Sequence, residues 1–270
     1  MLSLSKVRQT FNPGTVNEVR ALRGVSLEIA AGSFVVVLGS NGSGKSTLLN
    51  AVAGTFLIDE GSIVLAGHNL TRWPEHRRAK YIGRVFQNPF SGTAPNMSIL
   101  ENFALASRRG HRRGLGWALH RKLRNDLRDR VRSLKMGLED RLDNAIGSLS
   151  GGQRQALTLL MATWVKPDLL LLDEHTAALD PKSADQVMQL TAQIVAEKNL
   201  TTLMVTHSMA QAVAFGSRVL MMHQGQVFYD FAGADKRRLR IDDLLGCFDD
   251  LRRRDLLDES AAALLQEQYG

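Results

Sequence analysis

The chain has 270 residues, a formal net charge of +7 and 44% hydrophobic residues, the usual share for a protein that buries a core. Its 23 glycines and six prolines follow no short period and 23% of residues are charged, which excludes a collagen, a low-complexity polymer and a disordered chain. The single cysteine, Cys247, excludes an intrachain disulfide framework and predicts a reducing compartment.

The apolar stretches of the chain are short. None reaches the roughly 18 consecutive residues of a transmembrane helix, and the best runs, 34–38 and 169–172, have the length of strands. Lys6 and Arg8 interrupt the N-terminal segment, so no signal peptide is expected. The chain itself is therefore not expected to span a membrane.

The positive charge is concentrated in one segment, 107–135. Because that segment alone carries a net charge of +9, the remainder of the chain has a small net negative charge. Trp117 is its only aromatic residue, so it lacks a platform for stacking bases, and nucleic acid is not an expected partner. The basic residues are Arg108, Arg109, Arg112, Arg113, Arg121, Lys122, Arg124, Arg128, Arg130, Arg132 and Lys135.

The first third of the chain has the pattern of strands and turns. Val25, Leu27 and Ile29 alternate with polar residues, which predicts a half-buried strand, and the continuous apolar run 34–38 predicts a strand buried on both faces. A glycine-rich loop follows, then a helix over 46–53 that ends at Gly54. A short strand is expected at 62–66.

The middle of the chain, from 88 to about 164, is helical in pattern. Its clearest element has leucine and valine at three- and four-residue steps within a charged segment, which predicts an inserted helical subdomain. Strand character returns at 169–173 and 201–206 with a helix between them, the rhythm of a parallel sheet. Past Val227 the pattern becomes charged and helical. The apolar positions of the two helical patterns are Leu119, Leu123, Leu127, Val131 and Leu134, and Leu244, Leu245, Phe248 and Leu251.

Residues 39–46 match the phosphate-binding pattern G-x-x-x-x-G-K-S/T between a buried strand and a helix. Glycines let successive backbone N–H groups point at phosphate oxygens, and the helix N-terminus adds partial positive charge. Lys45 is expected to reach the β- and γ-phosphates, Ser46 to bind Mg²⁺, and Thr47 to bond another phosphate oxygen. The predicted ATP-binding residues are Gly39, Ser40, Asn41, Gly42, Ser43, Gly44, Lys45, Ser46 and Thr47.

Two adjacent carboxylates, Asp173 and Glu174, end the apolar run that begins at Leu169. The carboxyl end of a parallel strand faces the ligand crevice, so both are candidates for the chemistry. Asp173 is assigned to the Mg²⁺ shell, and Glu174 to orienting and deprotonating the attacking water. Alone, such a pair is more often solvent-facing; beside a phosphate loop it indicates a nucleotide phosphohydrolase.

The pentapeptide Leu149-Ser150-Gly151-Gly152-Gln153 narrows the choice, because with it the sequence resembles the ATP-binding cassette (ABC) family. Further residues resemble motifs of this family, and they occur in the same order along the chain. Phe11 lies where the family stacks an aromatic residue on adenine, and Gln87 where a glutamine contacts Mg²⁺ or water and links the core to the helical subdomain. Asp180 lies in a segment that resembles the family's dimer-contact loop. His207 resembles the family's switch histidine, which contacts the γ-phosphate.

The resemblance implies an α/β fold: a P-loop NTPase core around a parallel sheet, an antiparallel β subdomain at the N-terminus and an inserted α-helical subdomain. It implies an ATPase domain over 1–228, with the core at 1–88 and 165–228 and the helical subdomain at 89–164, followed by a C-terminal helical extension at 229–270. The residues of the family's signature segment, Ser150, Gly151, Gly152 and Gln153, would contact ATP held by a second copy in a head-to-tail dimer. His175 and Ala177 depart from the family's usual Pro and Ser, which removes one possible hydroxyl contact across the dimer.

The expected function is that of the ATP-hydrolysing subunit of a bacterial transporter on the cytoplasmic face of the inner membrane. The resemblance favours an importer of amino acids or related small solutes with a separate permease and, indirectly, an extracytoplasmic binding protein. Lipoprotein extraction, envelope remodelling and a non-transport ABC ATPase remain alternatives. The basic segment 108–135 has three interpretations: a solvated helix, contact with anionic lipid, or contact with a cytoplasmic loop of the permease.

Overall fold

The computed structural model describes residues 1–110 and 121–269, with side chains described up to residue 255. It contains a four-stranded sheet in the order β2-β1-β4-β5 and a six-stranded sheet in the order β10-β9-β3-β8-β7-β6. The strands are β1 Leu2–Phe11, β2 Val19–Ile29, β3 Phe34–Gly39, β4 Glu60–Leu65, β5 His68–Asn69, β6 Ile82–Val85, β7 Leu169–Asp173, β8 Thr202–Val205, β9 Arg218–His223 and β10 Gln226–Ala232.

Helices cover the larger sheet and build a separate subdomain between β6 and β7. Two short 3-10 turns, Pro89–Gly92 and Ile146–Ser148, accompany them. The helices are α1 Lys45–Ala53, α2 Glu75–Arg78, α3 Ile99–Ser107, α4 Arg121–Ser133, α5 Gly151–Ala162, α6 Pro181–Lys198, α7 Met209–Ala214, α8 Gly233–Arg238 and α9 Ile241–Tyr269.

The larger sheet has a parallel centre. Strand β3 pairs in parallel with β8 and β9, and β7 pairs in parallel with β8 and β6, whereas β10 is antiparallel to β9. The central strands are apolar and buried on both faces, as their continuous hydrophobic runs predict. Because parallel strands share one carboxyl edge, the loops after β3, β6, β7 and β8 meet there. This edge holds the candidate site.

Each face of the larger sheet has its own core. Val35 and Val37 pack with the N-terminal antiparallel sheet and α1, whereas Val36 and Leu38 pack with α6 and α9. Consecutive residues point to opposite faces because the side-chain period of a strand is two. The predicted N-terminal strand is confirmed, since Val25, Leu27 and Ile29 are all buried.

The helical subdomain has a third core. Leu123, Leu127, Val131 and Leu134 of the predicted amphipathic pattern are buried in it beside Phe103 of α3 and Ile146. Leu119 lies outside the described residues. The three- and four-residue spacing therefore identified the buried face of α4 correctly.

The C-terminal region differs from its sequence pattern in two respects. Residues 229–232 continue strand β10, and the helices begin at Gly233, because the half-buried side chains of Val227, Tyr229 and Phe231 follow the period of a strand. On α9, Leu244 and Leu251 are buried, but Leu245 is 46% exposed, since it lies one position off the face that faces the sheet. Among the described residues, the helices are all too short or too polar to cross a membrane.

Candidate nucleotide site

The loop between β3 and α1 has the backbone that a phosphate site requires. Gly44 has φ +97°, and a Cβ there would lie 2.6 Å from the carbonyl oxygen of Ala21, so only glycine fits. Helix α1 starts at Lys45 with no side-chain cap and no acidic residue in its first turn. Its first N–H groups thus lack intrahelical partners and can donate hydrogen bonds to an anion. In the predicted set Ser40, Asn41, Gly42 and Ser46 are exposed, Thr47 is partly buried, and Gly39, Ser43, Gly44 and Lys45 are buried.

A buried cation and an unpaired hydroxyl lie inside this loop. The ammonium of Lys45 donates to the carbonyl oxygens of Gly39 and Ser40 at 2.8 and 2.9 Å. Burial lowers the pKa of Lys45, and the carboxylates of Glu174 and Asp173 oppose that effect. The hydroxyl of Ser43 is buried without a hydrogen-bond partner. A phosphate group would supply negative charge opposite the Lys45 ammonium, and hydrogen-bond acceptors for this ammonium and for the Ser43 hydroxyl.

Asp173 ends β7 with its carboxylate facing Arg84, whose Nη2 lies 3.5 Å from Oδ2. The same nitrogen donates to the Asn50 side chain of α1 at 2.6 Å. Burial raises the pKa of Asp173, while Arg84 acts in the opposite direction. Arg84 therefore ties this carboxylate to the helix of the phosphate loop. It was not among the predicted residues, although a basic residue on a short apolar strand was a signal.

Glu174 and His207 come together at the sheet edge. The imidazole Nδ1 of His207 lies 3.5 Å from Oε2 of Glu174. Both border a cavity of about 150 Å³ with Thr206 and Gln211. Glu174 has φ +42°, a left-handed backbone that non-glycine residues rarely adopt and that often accompanies function. The carboxylate is mostly buried whereas the imidazole is exposed, so solvent reaches the pair from one side.

A hydrogen-bonded network that the sequence did not reveal supports this pair. The Thr206 hydroxyl donates to Gln211 at 2.8 Å, and the Gln211 amide donates to the Thr176 hydroxyl at 3.0 Å. The network joins the loops that carry Glu174 and His207 to helix α7. Threonine and glutamine are common surface residues, so their spacing gave no signal.

Gln87 and Phe11 both have exposed side chains. Gln87 is exposed in the loop after β6, which pairs with β7 and ends at the same sheet edge as Asp173. Phe11 ends β1, is 37% exposed, and packs edge-on against Phe56 with 5.4 Å between ring centroids. One part of its ring therefore stays open to stacking.

The signature segment lies apart from the phosphate loop. Ser150 caps α5 in a reciprocal capping box with Gln153, with both bonds at 3.3 Å. Ser150 and Gly151 are exposed, whereas Gly152 packs against Ser183 of α6. Ser150, Gly152 and Gln153 border a cavity of about 330 Å³, to whose lining the described part of the phosphate loop contributes no residue. Asp180 caps α6 by accepting from Ser183 N–H at 3.0 Å, and hydrogen bonds from the side chain and the backbone of Ser183 lower its pKa.

Several residues of the basic segment have intramolecular partners. Arg124 forms two bonds to the carboxylate of Asp143, at 2.8 and 2.6 Å, and Arg130 stacks on Trp164. Arg109 is partly buried and donates to the carbonyls of Ala162 and Val165. Arg112 and Arg113 lie outside the described residues. These contacts give Arg109, Arg124 and Arg130 structural roles within the chain.

The motifs described above belong to a known protein family, and known proteins resemble this chain over most of its length. A sequence model described as ABC transporter matches residues 22–177, more than half of the chain. The chain belongs to the ABC transporter family. The tyrosine transport ATP-binding protein of Clostridioides difficile is 41% identical over 92% of this chain and 99% of its own length. The lipoprotein-releasing system ATP-binding protein LolD 1 of Caulobacter vibrioides is 32% identical over 80% of this chain and 89% of its own.

The solved structures agree with this assignment. The dimeric ATP-binding cassette MJ0796 in a post-hydrolysis state, bound to ADP and phosphate, superposes with a TM-score of 0.74 at 28% identity, covering 86% of this chain and 98% of that chain. The expected α/β fold and its antiparallel subdomain are confirmed. As a member of the ABC transporter family, the protein is an ATP-binding ATPase that drives transport. ABC cassettes form dimers and work with transmembrane partners.

Proposed function

We propose that this ABC ATPase hydrolyses ATP with Mg²⁺ in a homodimer and powers the import of an amino acid or a related small solute. The ATPase would lie on the cytoplasmic face of the inner membrane, with a separate transmembrane permease as its direct partner and an extracytoplasmic binding protein as an indirect one. The observation that carries the proposal is the convergence of Lys45, Asp173, Glu174 and His207 on one edge of the parallel sheet.

The residues present fit a nucleotide with its metal. The loop over 39–47 offers unpaired N–H groups, a buried ammonium and the unpaired Ser43 hydroxyl for the phosphates. Ser46, Asp173 and Gln87 would hold Mg²⁺, because their hydroxyl, carboxylate and amide oxygens are the hard donors that it prefers. When bound, Mg²⁺ neutralises charge that develops on the phosphates. Phe11 would stack on adenine.

Glu174 is the proposed general base. Its carboxylate is mostly buried at the open end of β7, where it can accept a proton from a water molecule beside the γ-phosphate. His207, 3.5 Å away, would orient that water and contact the γ-phosphate. The strained backbone at Glu174 fixes the direction of the carboxylate.

The test is the isosteric substitution Glu174→Gln, whose amide cannot take the proton. Turnover is expected to fall about 10²- to 10⁴-fold while equilibrium ATP binding is retained. Glu28→Gln, the same change at an exposed position of β2, serves as the control and should hydrolyse ATP at the wild-type rate. Near-normal hydrolysis by Glu174→Gln would remove Glu174 from this role.

The signature segment is proposed to complete the site of a second copy. The exposure of Ser150 and Gly151 supports this, because they present a helix N-terminus to solvent. Asp180, at the start of α6, would lie in the same dimer contact. Ser150, Gly151, Gly152 and Gln153 would then face ATP held by Lys45 of the other copy.

Cysteine crosslinking tests the shared site. In a Cys247→Ser background, Ser150→Cys and the exposed Asn41→Cys are placed in separate chains and mixed. An intermolecular disulfide that forms with ATP and not without nucleotide is expected. A link of equal yield without nucleotide would contradict the shared-site arrangement.

The substrate assignment comes from relatedness. Similarity to the tyrosine transport protein extends over 92% of this chain, further than to the lipoprotein-releasing relative, which favours an amino-acid solute. Uptake of radiolabelled tyrosine and other amino acids is compared in cells lacking the gene, with wild-type or Glu174→Gln complementation. Loss of uptake restored only by the wild type is expected. Normal uptake with lipoproteins retained in the inner membrane would favour lipoprotein extraction instead.

A further inference from the structure

The turn between β9 and β10 lies directly against the phosphate loop. The backbone N–H of Gly225 donates to the carbonyl oxygen of Ser43 at 3.0 Å, and the Gly225 carbonyl accepts from Arg23 N–H at 2.9 Å. Gly225 has φ +76°, and a Cβ there would lie 2.7 Å from the carbonyl oxygen of Ala21. The turn is thus wedged between β2 and the phosphate loop, with no room for a side chain.

The bond from Gly225 to the Ser43 carbonyl also constrains the direction of the Gly44 N–H group. The peptide unit that joins Ser43 and Gly44 is planar and trans, so its C=O and N–H point in opposite directions. Because Gly225 holds the Ser43 carbonyl on the side of the turn, the Gly44 N–H points away from the turn. The turn therefore sets the direction of an N–H group in the proposed phosphate loop.

The C-terminal helix α9 holds this turn in place through one carboxylate. Oδ1 of Asp255 accepts from Nε2 of His223 at 2.8 Å and from the side-chain amide of Gln224 at 2.8 Å. Gln224 has φ +44°, so it requires support to keep the two-residue turn. The side-chain Oε1 of Gln224 in turn accepts from the guanidinium Nη1 of Arg23 at 3.3 Å. Asp255 thereby fixes both residues that precede Gly225.

Packing fixes the helix at this point. Leu251, one turn before Asp255, is buried in the core beneath the sheet. The ring of His223 packs edge-on against Phe228 at 5.5 Å, and the guanidinium of Arg254 lies 5.9 Å from the centre of the same ring. The Asp255 carboxylate is therefore presented to the turn by a helix that cannot rotate freely.

We infer that Asp255 is a positioning residue of the nucleotide site: by holding the turn at 224–225, it presets the phosphate loop for ATP. The inference rests on the proposed role of residues 39–46 in nucleotide binding. It gives the C-terminal helix, which lies beyond the 22–177 family match, a function in ATP affinity. Asp255 touches no nucleotide and acts through Gly225 and Ser43.

The first experiment measures ATP binding and turnover of full-length Asp255→Ala. Its Kd and KM for ATP are expected to rise about five- to twentyfold, with kcat within twofold, because a preset loop is lost and the chemical groups are kept. Asp255→Asn keeps an Oδ1 acceptor and should restore wild-type affinity. Asp249→Ala, an exposed acidic position on the same helix, is the matched control and should bind ATP normally.

A second readout follows the turn itself. Amide hydrogen exchange at Gly225 should accelerate in Asp255→Ala and remain slow in Asp255→Asn and Asp249→Ala. Gln224→Gly keeps the left-handed turn but removes the side-chain bonds of Gln224 to Asp255 and Arg23, and it should weaken ATP binding in the same direction. Unchanged ATP affinity in Asp255→Ala, or a loss of affinity that Asp255→Asn fails to restore, would overturn the inference.

Lys45→Ala, measured in parallel, separates the two hypotheses. If Lys45→Ala loses ATP binding while Asp255→Ala keeps it, the positioning role of Asp255 is wrong and the phosphate loop retains its function. If Lys45→Ala also binds ATP normally, the proposed nucleotide site itself is wrong.

Discussion

Arg78 is fully buried, and its guanidinium is held entirely by backbone carbonyls. It donates to Ala51 and Val52 at 2.7 and 2.9 Å, and to Trp73 and Thr71 at 2.8 and 3.3 Å. Ala51 and Val52 lie in the last turn of α1, where carbonyls lack intrahelical donors. Burial lowers the pKa of Arg78 to about 10. Arg78 thus closes the C-terminal end of the helix whose N-terminus forms the phosphate loop.

Arg78→Met should destabilise the fold strongly. Methionine fills much of the space but leaves four carbonyls without their donor, those of Ala51 and Val52 in buried bonds, and disruption of such a network costs about 3–5 kcal/mol. In a chain of this size that loss lowers Tm by about 6–10 °C. The assay is urea unfolding followed by far-UV circular dichroism, with thermal unfolding as a second measurement.

The neighbouring Arg77 supplies a matched control, because it is exposed on the same short helix. Arg77→Met should change stability by less than about 0.5 kcal/mol. Arg78→Lys keeps the charge but cannot span four acceptors, so it should fall between the wild type and Arg78→Met. Equal unfolding midpoints for Arg77→Met and Arg78→Met would refute the argument that these hydrogen bonds stabilise the fold.

Two further predictions concern buried ionisable groups near β7. Burial lowers the pKa of His175 to about 4. Because an unfolded histidine titrates near pH 6.5, stability that is present above this pH is lost as pH falls toward 4, by about 2 kcal/mol between pH 7 and pH 5. Urea unfolding at both pH values should show this loss in the wild type but not in His175→Gln, and equal losses would contradict it. Arg84→Met should lower stability by about 1–3 kcal/mol at pH 7, because Asp173 loses its buried partner. A double-mutant cycle with Asp173→Asn measures the coupling, and strictly additive effects would show that the pair does not interact.

The sequence predicted the elements whose signals are local. The run 34–38 followed by a glycine-rich loop predicted a strand, a phosphate loop and a helix, and β3 and α1 are found there. The spacing of Leu123, Leu127 and Val131 identified the buried face of α4. Such patterns succeed because side-chain period and glycine conformation are properties of neighbouring residues. The family and its ATPase activity likewise followed from short ordered motifs.

The tertiary structure decided which distant residues become partners. Arg84 approaches Asp173 and Asn50, and Asp255 reaches His223 and Gln224, through packing that no local pattern encodes. The mixed sequence after Val227 predicted helix too early, because the edge strand β10 is stabilised by pairing with β9. Charge, burial and pKa depend on the whole surroundings of a group, and those surroundings form only when strands and helices pack.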